Sequence, residues 1–77
     1  MSIYAINGHE GNIVTRVLPS HDVVIQKPSH SVLELVAFDI VKSCDGVFRA
    51  EYGGWIIPSR KADRAYMLLG SKCRQIS

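Results

Sequence analysis

The clearest structural signal in the chain is the stretch GVFRAEYGGWIIP, residues 46–58. Its two flanks, VFR and WII, are mostly β-branched or aromatic, which is typical of strands. Gly53 and Gly54 between them can adopt the positive φ angles that tight hairpin turns require. Pro58 has no N–H to donate to a neighbouring strand, so it ends the second flank. The stretch predicts a β-hairpin with Gly53-Gly54 in its turn.

Three further strands are predicted in the first third of the chain. They are residues 2–7 (SIYAIN), 12–18 (NIVTRVL) and 22–26 (DVVIQ), with turns at 8–11 (GHEG) and 19–21 (PSH). All three are rich in apolar residues, and the second and third in β-branched ones. Consecutive short strands joined by tight turns most simply form an antiparallel meander.

A first helix is predicted from about Val32 to Ser43. Ser31, with Glu34 three residues later, has the spacing of a capping box. The apolar side chains of this helix cover a wider arc than one sheet can bury, and they are Val32, Leu33, Leu35, Val36, Ala37, Phe38, Ile40 and Val41. Either the sheet curls around the helix, or part of the arc contacts another subunit or a partner. We favour the first alternative, because small domains bury what they can.

A second helix follows Pro58, with Ser59 as its expected N-cap and Gly70 as its expected end. Its apolar stripe has helical spacing and consists of Ala62, Ala65, Tyr66 and Leu69. Residues 71–77 form a polar, basic tail that we expect to be frayed. The order β-β-β-α-β-β-α predicts a small α+β two-layer sandwich, in which an antiparallel sheet packs against two helices in a single domain over residues 1–77.

Length and composition narrow the class of protein. The 77 residues suffice for one small core, and 47% hydrophobic with 21% charged residues is ordinary for a globular domain. No apolar run approaches the ~20 residues of a membrane span, and the first residues lack the pattern of a signal peptide. We therefore expect a cytoplasmic protein. Cys44 and Cys73 could pair, but without a signal peptide they are expected to be reduced thiols.

Positive charge is concentrated in the second part of the chain. Residues 1–45 contain three Lys or Arg against five acids, a charge of −2, whereas residues 46–77 contain six against two, a charge of +4. This distribution is expected if an anionic partner docks near the hairpin and the second helix. The alternative is a solvated basic helix face.

No catalytic or metal-binding pattern is present. The histidines lie at predicted turns with neither HxH nor HExxH spacing, and they are His9, His21 and His30. The acids are scattered singly, and residues 8–11 do not have the spacing of a phosphate-binding loop. We therefore expect a non-enzymatic protein without metal or cofactor, and a small hydrolase or metal protein is the weakest hypothesis.

A binding surface is easier to predict. Side chains alternate between the two faces of a hairpin, so Arg49 would emerge on the opposite face from Phe48. If the Phe48 face is buried, Arg49 lies on the exposed sheet beside Tyr52 or Trp55. A cation next to an aromatic ring suits single-stranded nucleic acid. The alternative is that Trp55 and Phe48 fill the core.

The pattern DGVFRAEYGGWIIPS, followed by a basic helix with two leucines near its end, resembles the HARP-type module found beside annealing helicases. It is also similar to small modules whose hairpins close in G-W-x-x-P. The similarity covers about residues 22–69, and the matching positions are Gly46, Phe48, Trp55, Ile57 and Pro58. Such modules are associated with recognition of DNA structure. The resemblance implies that role for Arg49, Arg60, Lys61 and Arg64.

The sequence thus predicts a small nucleic-acid-binding module that uses the hairpin face and the basic second helix. The expected contacts are Arg49, Tyr52, Trp55, Arg60, Lys61 and Arg64. The alternative is a small protein-binding or inhibitory module, of the kind carried by phages or plasmids. It would act through a sheet edge or through the apolar face of the first helix, and a homodimer would bury that face at a subunit interface.

Overall fold

The computed structural model of the protein describes residues 1–77 and contains one antiparallel sheet and two helices. The strands are Ser2–Ala5 (β1), Ile13–Val17 (β2), Val23–Gln26 (β3), Val47–Arg49 (β4), Gly54–Ile57 (β5) and Arg74–Gln75 (β6), and the helices are Ser31–Ser43 (α1) and Ala62–Lys72 (α2). The sheet order is β4-β5-β3-β2-β1-β6. The predicted α+β architecture and the order β-β-β-α-β-β-α are confirmed, with β6 as an additional strand.

Both helices pack on the same face of the sheet, which we call the inner face. Apolar side chains alternate onto it from the strands and meet the helices in a single core, of which the largest members are Ile13, Ile25, Leu33, Ile40, Ile57 and Leu69. The predicted stripe of α2 is part of this packing, because Ala65 and Leu69 are buried. The opposite side of the sheet, the outer face, has no helix over it.

The hairpin is confirmed, but its two glycines have different roles. Its turn is a single 3-10 turn over Ala50–Tyr52, and Gly53 closes it with a φ of 69°. Gly54 lies in β5 instead. A Cβ at Gly54 would collide with the carbonyl oxygen of Ile25 and approach Cα of Gln26 to 2.7 Å. The second glycine is therefore needed for close approach of β5 to β3 and not for the turn.

The predicted capping box of α1 does not form. His30 occupies the N-cap position without a side-chain cap, and Ser31 is the first helical residue. The backbone N–H of Glu34 donates to the His30 carbonyl at 2.9 Å. The Glu34 carboxylate lies 3.7 Å from Nζ of Lys27 instead of reaching back to the helix start.

Ser59 is not the N-cap of α2 either. It begins a 3-10 turn, Ser59–Lys61, that leads into the helix, and its own N–H donates to Oδ1 of Asp22 at 2.9 Å. Asp22 lies in the connection between β2 and β3, so this first turn is capped from a distant part of the chain. Sequence spacing alone cannot reveal such a cap.

The C-terminal residues continue the regular structure. Gly70 does not end α2, which extends to Lys72, and β6 then pairs with β1. The N–H of Ile3 donates to the Ser77 carbonyl at 3.1 Å, and the N–H of Ile76 donates to the Ile3 carbonyl at 2.8 Å. Residues expected to form a frayed tail thus provide an edge strand of the sheet.

Neither helix combines the length and the apolar character needed to cross a bilayer.

Substitution of the glycines provides a test of the β3–β5 contact. We expect Gly54→Ala to lower the free energy of unfolding by about 2–3 kcal/mol, because backbone atoms of β3 must move to admit the methyl group. Gly70→Ala is the matched control, since it lies within α2 with open space around it. It should raise the free energy of unfolding by about 0.5–1 kcal/mol. Urea unfolding measures both, and equal unfolding midpoints for G54A and wild type would contradict the assignment.

Candidate functional site

Three arginines project from the outer face of the sheet. Strand register places Arg16 opposite Val24, Arg49 opposite Gly54 and Arg74 opposite Ala5. All three arginines are exposed, and none forms an ion pair. The six strands contain no acidic residue. The outer face is therefore a sheet surface of uncompensated positive charge.

One aromatic side chain accompanies these arginines. Tyr52 follows β4 in the hairpin turn, is 37% exposed, and lies under the guanidinium of Arg16, with 5.8 Å from Arg16 Cζ to the ring centroid. This geometry is a cation–π contact between β2 and the hairpin. Val24, directly opposite Arg16, is fully buried although no helix covers it. The Arg16–Tyr52 pair thus lies over an aliphatic part of the sheet and presents two flat groups beside each other.

Two acids lie at one end of the outer face, and both have partners. Asp22 and Asp45 border a shallow depression together with Val47, Arg49, Ile56 and Pro58. Asp22 accepts the N–H of Ser59, and Asp45 lies 3.4 Å from Nη1 of Arg60 and 4.0 Å from Nζ of Lys61. Both acids therefore contact the Ser59–Lys61 turn that leads into α2.

Trp55 is not on the exposed sheet. It is 7% exposed, belongs to the core, and lies on the inner face between two phenylalanines. Its ring centroid is 6.3 Å from that of Phe38 and 5.9 Å from that of Phe48, the latter edge to face. The alternative that Trp55 fills the core is correct, whereas Phe48 remains 49% exposed. The indole is therefore not available for stacking on a base.

The basic residues of the Ser59–Lys61 turn and of the first turn of α2 form a separate group. Arg60 and Lys61 approach Asp45 just after α1, and the charges of Arg64 and Lys61 act on the thiol of Cys44 at the end of that helix. Cations at this position offset Asp45 and the negative end of the α1 dipole. The predicted nucleic-acid contacts thus divide into three groups. Arg49 and Tyr52 share the outer face, and Trp55 is in the core. Arg60 and Lys61 approach Asp45, and Arg64 lies near Cys44.

Sequence reasoning missed Arg16 and Arg74 as surface arginines. Arg16 alternates with Ile13 and Thr15, which are both buried, so the period of two along β2 could have indicated its outward direction. Arg74 lies in β6, a two-residue strand formed by residues that resemble a tail. No local pattern indicates such a strand.

A second exposed surface lies beside β4. The prediction that the sheet curls around α1 is wrong, because several of the helix's apolar residues remain outside the core. Leu35 is 70% exposed and Phe38 is 48% exposed. Nζ of Lys42 lies 5.8 Å from the Phe38 ring centroid. Together with Phe48 of β4, these side chains form what we call the edge surface.

Reactive side chains are not gathered at either surface. Burial raises the pKa of both Cys44 and Cys73, and the two cysteines are free thiols. A hydrogen bond from Lys72, at 2.9 Å, lowers the pKa of the Asp39 carboxyl. No group of three or more His, Cys, Asp or Glu side chains is placed to hold a metal ion. The outer face and the edge surface are the features that could bind a partner.

No protein-family model, no curated protein and no solved structure matches the chain. The resemblance to HARP-type modules therefore stays a prediction.

Thiol labelling checks the placement of the two cysteines. Cys44 is fully buried, whereas Cys73 is partly exposed. In the native protein we expect an aromatic disulfide reagent to modify the C73S variant, which retains Cys44, at least about tenfold more slowly than the C44S variant, because the core shields Cys44 from the reagent whereas Cys73 is partly exposed. The two variants should react at similar rates in urea. Similar rates in the native state would show that Cys44 is not enclosed by the core.

Proposed function

We propose that this chain is a small, non-enzymatic nucleic-acid-binding module whose outer sheet face holds a single strand. The observation that supports it is the set of three unpaired arginines, Arg16, Arg49 and Arg74, on strands without acidic residues. Most protein contacts to nucleic acid go to phosphates, and arginine is well suited to them. The basic residues after Pro58 are not part of the proposed surface, because Arg60 and Lys61 approach Asp45 and Arg64 lies near Cys44 at the end of α1.

The spacing of the arginines fits a strand that crosses the sheet. Arg49 lies on β4 at one edge, Arg16 lies on β2 three strands away, and Arg74 lies on β6 at the other edge. With about 4.8 Å between neighbouring strands, five steps from β4 to β6 extend over about 24 Å. A path of this length accommodates several nucleotides. Phosphates would meet Arg49 and Arg74, one near each end of the path.

Bases would stack near the middle of the path. The Tyr52 ring and the Arg16 guanidinium are both flat and partly exposed, and either can receive the face of a base. Stacking of this kind tolerates any sequence, because every base has a π-face. The outer face has no protruding helix that would enter a major groove, so a single strand is favoured over a duplex.

Charge neutralisation on the two faces tests the proposal. We expect R16Q/R49Q/R74Q to weaken binding to a single-stranded oligonucleotide and to lower the slope of log affinity against log salt by about 1.4, since Arg49 and Arg74 each lose a phosphate contact and each lost contact removes about 0.7. R60Q/K61Q/R64Q removes the same charge and is the matched control. Its slope should stay close to that of wild type. Fluorescence polarisation of a labelled oligonucleotide over a salt series measures both.

Two outcomes would contradict this assignment. If R60Q/K61Q/R64Q lowers the salt slope and the outer-face variant does not, nucleic acid binds through the residues after Pro58 and not through the outer face. If wild type fails to bind any oligonucleotide at low salt, the proposed function is wrong.

Substitution of Tyr52 separates stacking from charge. Tyr52→Ala should weaken binding to the oligonucleotide about tenfold, because loss of one stacked ring costs about 1–3 kcal/mol, while the salt slope remains that of wild type. Tyr52→Phe keeps the ring and should bind like wild type. Urea unfolding of both variants controls for loss of the Arg16 contact. Equal affinities for Y52A and Y52F would exclude the ring from the binding site.

A protein-binding module is the second candidate, and a different observation favours it. The edge surface exposes Leu35, Phe38 and Phe48 next to the free side of β4. Neighbouring large apolar side chains beside an open sheet edge are typical of a docking surface for another polypeptide.

A further inference from the structure

We propose that the edge surface binds a second copy of this chain and forms a symmetric dimer whose sheet continues from one copy into the other. This inference is independent of nucleic-acid binding. Three features of the edge surface support the dimer: the free hydrogen-bonding groups of β4, the charge pattern of α1 and the apolar area between them.

The free backbone groups of β4 belong to Phe48. The N–H of Lys27 donates to the Gly53 carbonyl at 3.0 Å, so the odd-numbered residues of β5 bond to β3. Successive residues of an antiparallel strand direct their backbone N–H and C=O groups to opposite sides. The even-numbered residues of β5 therefore bond to β4. Their partners are Val47 and Arg49. The N–H and C=O of Phe48 between them point away from the sheet.

Such an edge is self-complementary. When two β4 strands run antiparallel with Phe48 opposite Phe48, each copy's N–H donates to the other copy's C=O, which gives two hydrogen bonds about a two-fold axis. The same register places Val47 opposite the second copy's Arg49, so the two arginines do not face each other directly. A strand of only three residues pairs weakly by itself, and the helix must contribute as well.

The exposed face of α1 has a matching charge pattern. Glu34 and Lys42 lie four residues before and four residues after Phe38, on the same side of the helix. A two-fold axis perpendicular to the sheet makes the two α1 helices antiparallel, with Phe38 near the axis. Each Glu34 then lies near the other copy's Lys42. The carboxylate is available, because its present partner Lys27 is a solvent-exposed contact at 3.7 Å.

Exposed apolar side chains supply part of the contact area of a weak dimer. Leu35, Phe38 and Phe48 are 70%, 48% and 49% exposed, and Phe48 and Phe38 both flank Trp55, which brings the sheet and helix contacts close together. Each half-exposed phenylalanine offers about 100 Å². With the leucine, the apolar area is on the order of 300 Å² per copy, before the strand backbone and the polar rim are counted. The two copies together thus contribute about 600 Å² of apolar area, and the strand backbone and the polar rim must supply the remainder of an interface at the low end of the specific range. Such interfaces bind at micromolar concentrations or weaker.

Sedimentation equilibrium over a concentration series, without nucleic acid, tests the proposal. We expect the mass of wild type to rise from 8.5 kDa toward twice that value as the concentration increases to about 1 mM. Leu35→Glu should remain monomeric, because it places a carboxylate in the apolar contact. Met67→Glu is the matched control on α2, where the methionine is 62% exposed, and it should dimerise like wild type.

Exchange of the charges at Glu34 and Lys42 tests whether the two α1 helices lie antiparallel in the dimer. E34K and K42E should each weaken the dimer at least about fivefold, because each places like charges opposite one another. The double variant E34K/K42E restores opposite charges across the axis and should recover the dimer. No rescue by the double variant would overturn the antiparallel helix arrangement. A wild-type mass that stays at 8.5 kDa up to about 1 mM would overturn the dimer itself, and would leave the edge surface to a different protein without affecting the oligonucleotide assays.

Discussion

One backbone contact joins the two parts of this fold. The first three strands form a meander and the later two form a hairpin, and they become a single sheet only because Gly54 lets β5 lie directly against Ile25 and Gln26 of β3. The crossing of α1 between β3 and β4 depends on the same pairing. A shift of one residue in this register would exchange the inner and outer faces of the hairpin, removing Trp55 from the core and Arg49 from the basic face. Core packing and surface charge therefore follow from one register.

The outer face and the edge surface differ in chemistry because they become exposed for different structural reasons. The outer face presents exposed arginines because both helices pack on the other side, and no acid within the strands neutralises them. The edge surface is apolar because one sheet cannot cover every apolar residue of α1, which leaves Leu35 and Phe38 in solvent. They occupy different sides of the molecule, so binding at one does not require the other to be vacant.

Local patterns explain which parts of this fold the sequence could predict. Alternation along the strands and the helical stripe around Ala65 and Leu69 are properties of neighbouring residues, and they located every element except β6. Two local predictions fail, namely the capping box at Ser31 and the helix end at Gly70. The other errors concern contacts between distant residues. The Asp22 cap on Ser59, the collision that requires Gly54 and the pairing of β6 with β1 all depend on the folded chain. The candidate site was half predicted for the same reason, since Arg74 becomes part of the outer face only through β6.

The position of the single tryptophan has a practical consequence. Trp55 is enclosed by Phe38 and Phe48 under the edge surface, and no other indole is present in the chain. Its fluorescence emission in the folded protein will lie at short wavelength, because the ring is shielded from water, and it will move to longer wavelength when the core opens. The molecule thus contains its own optical reporter, located where the sheet and the first helix meet.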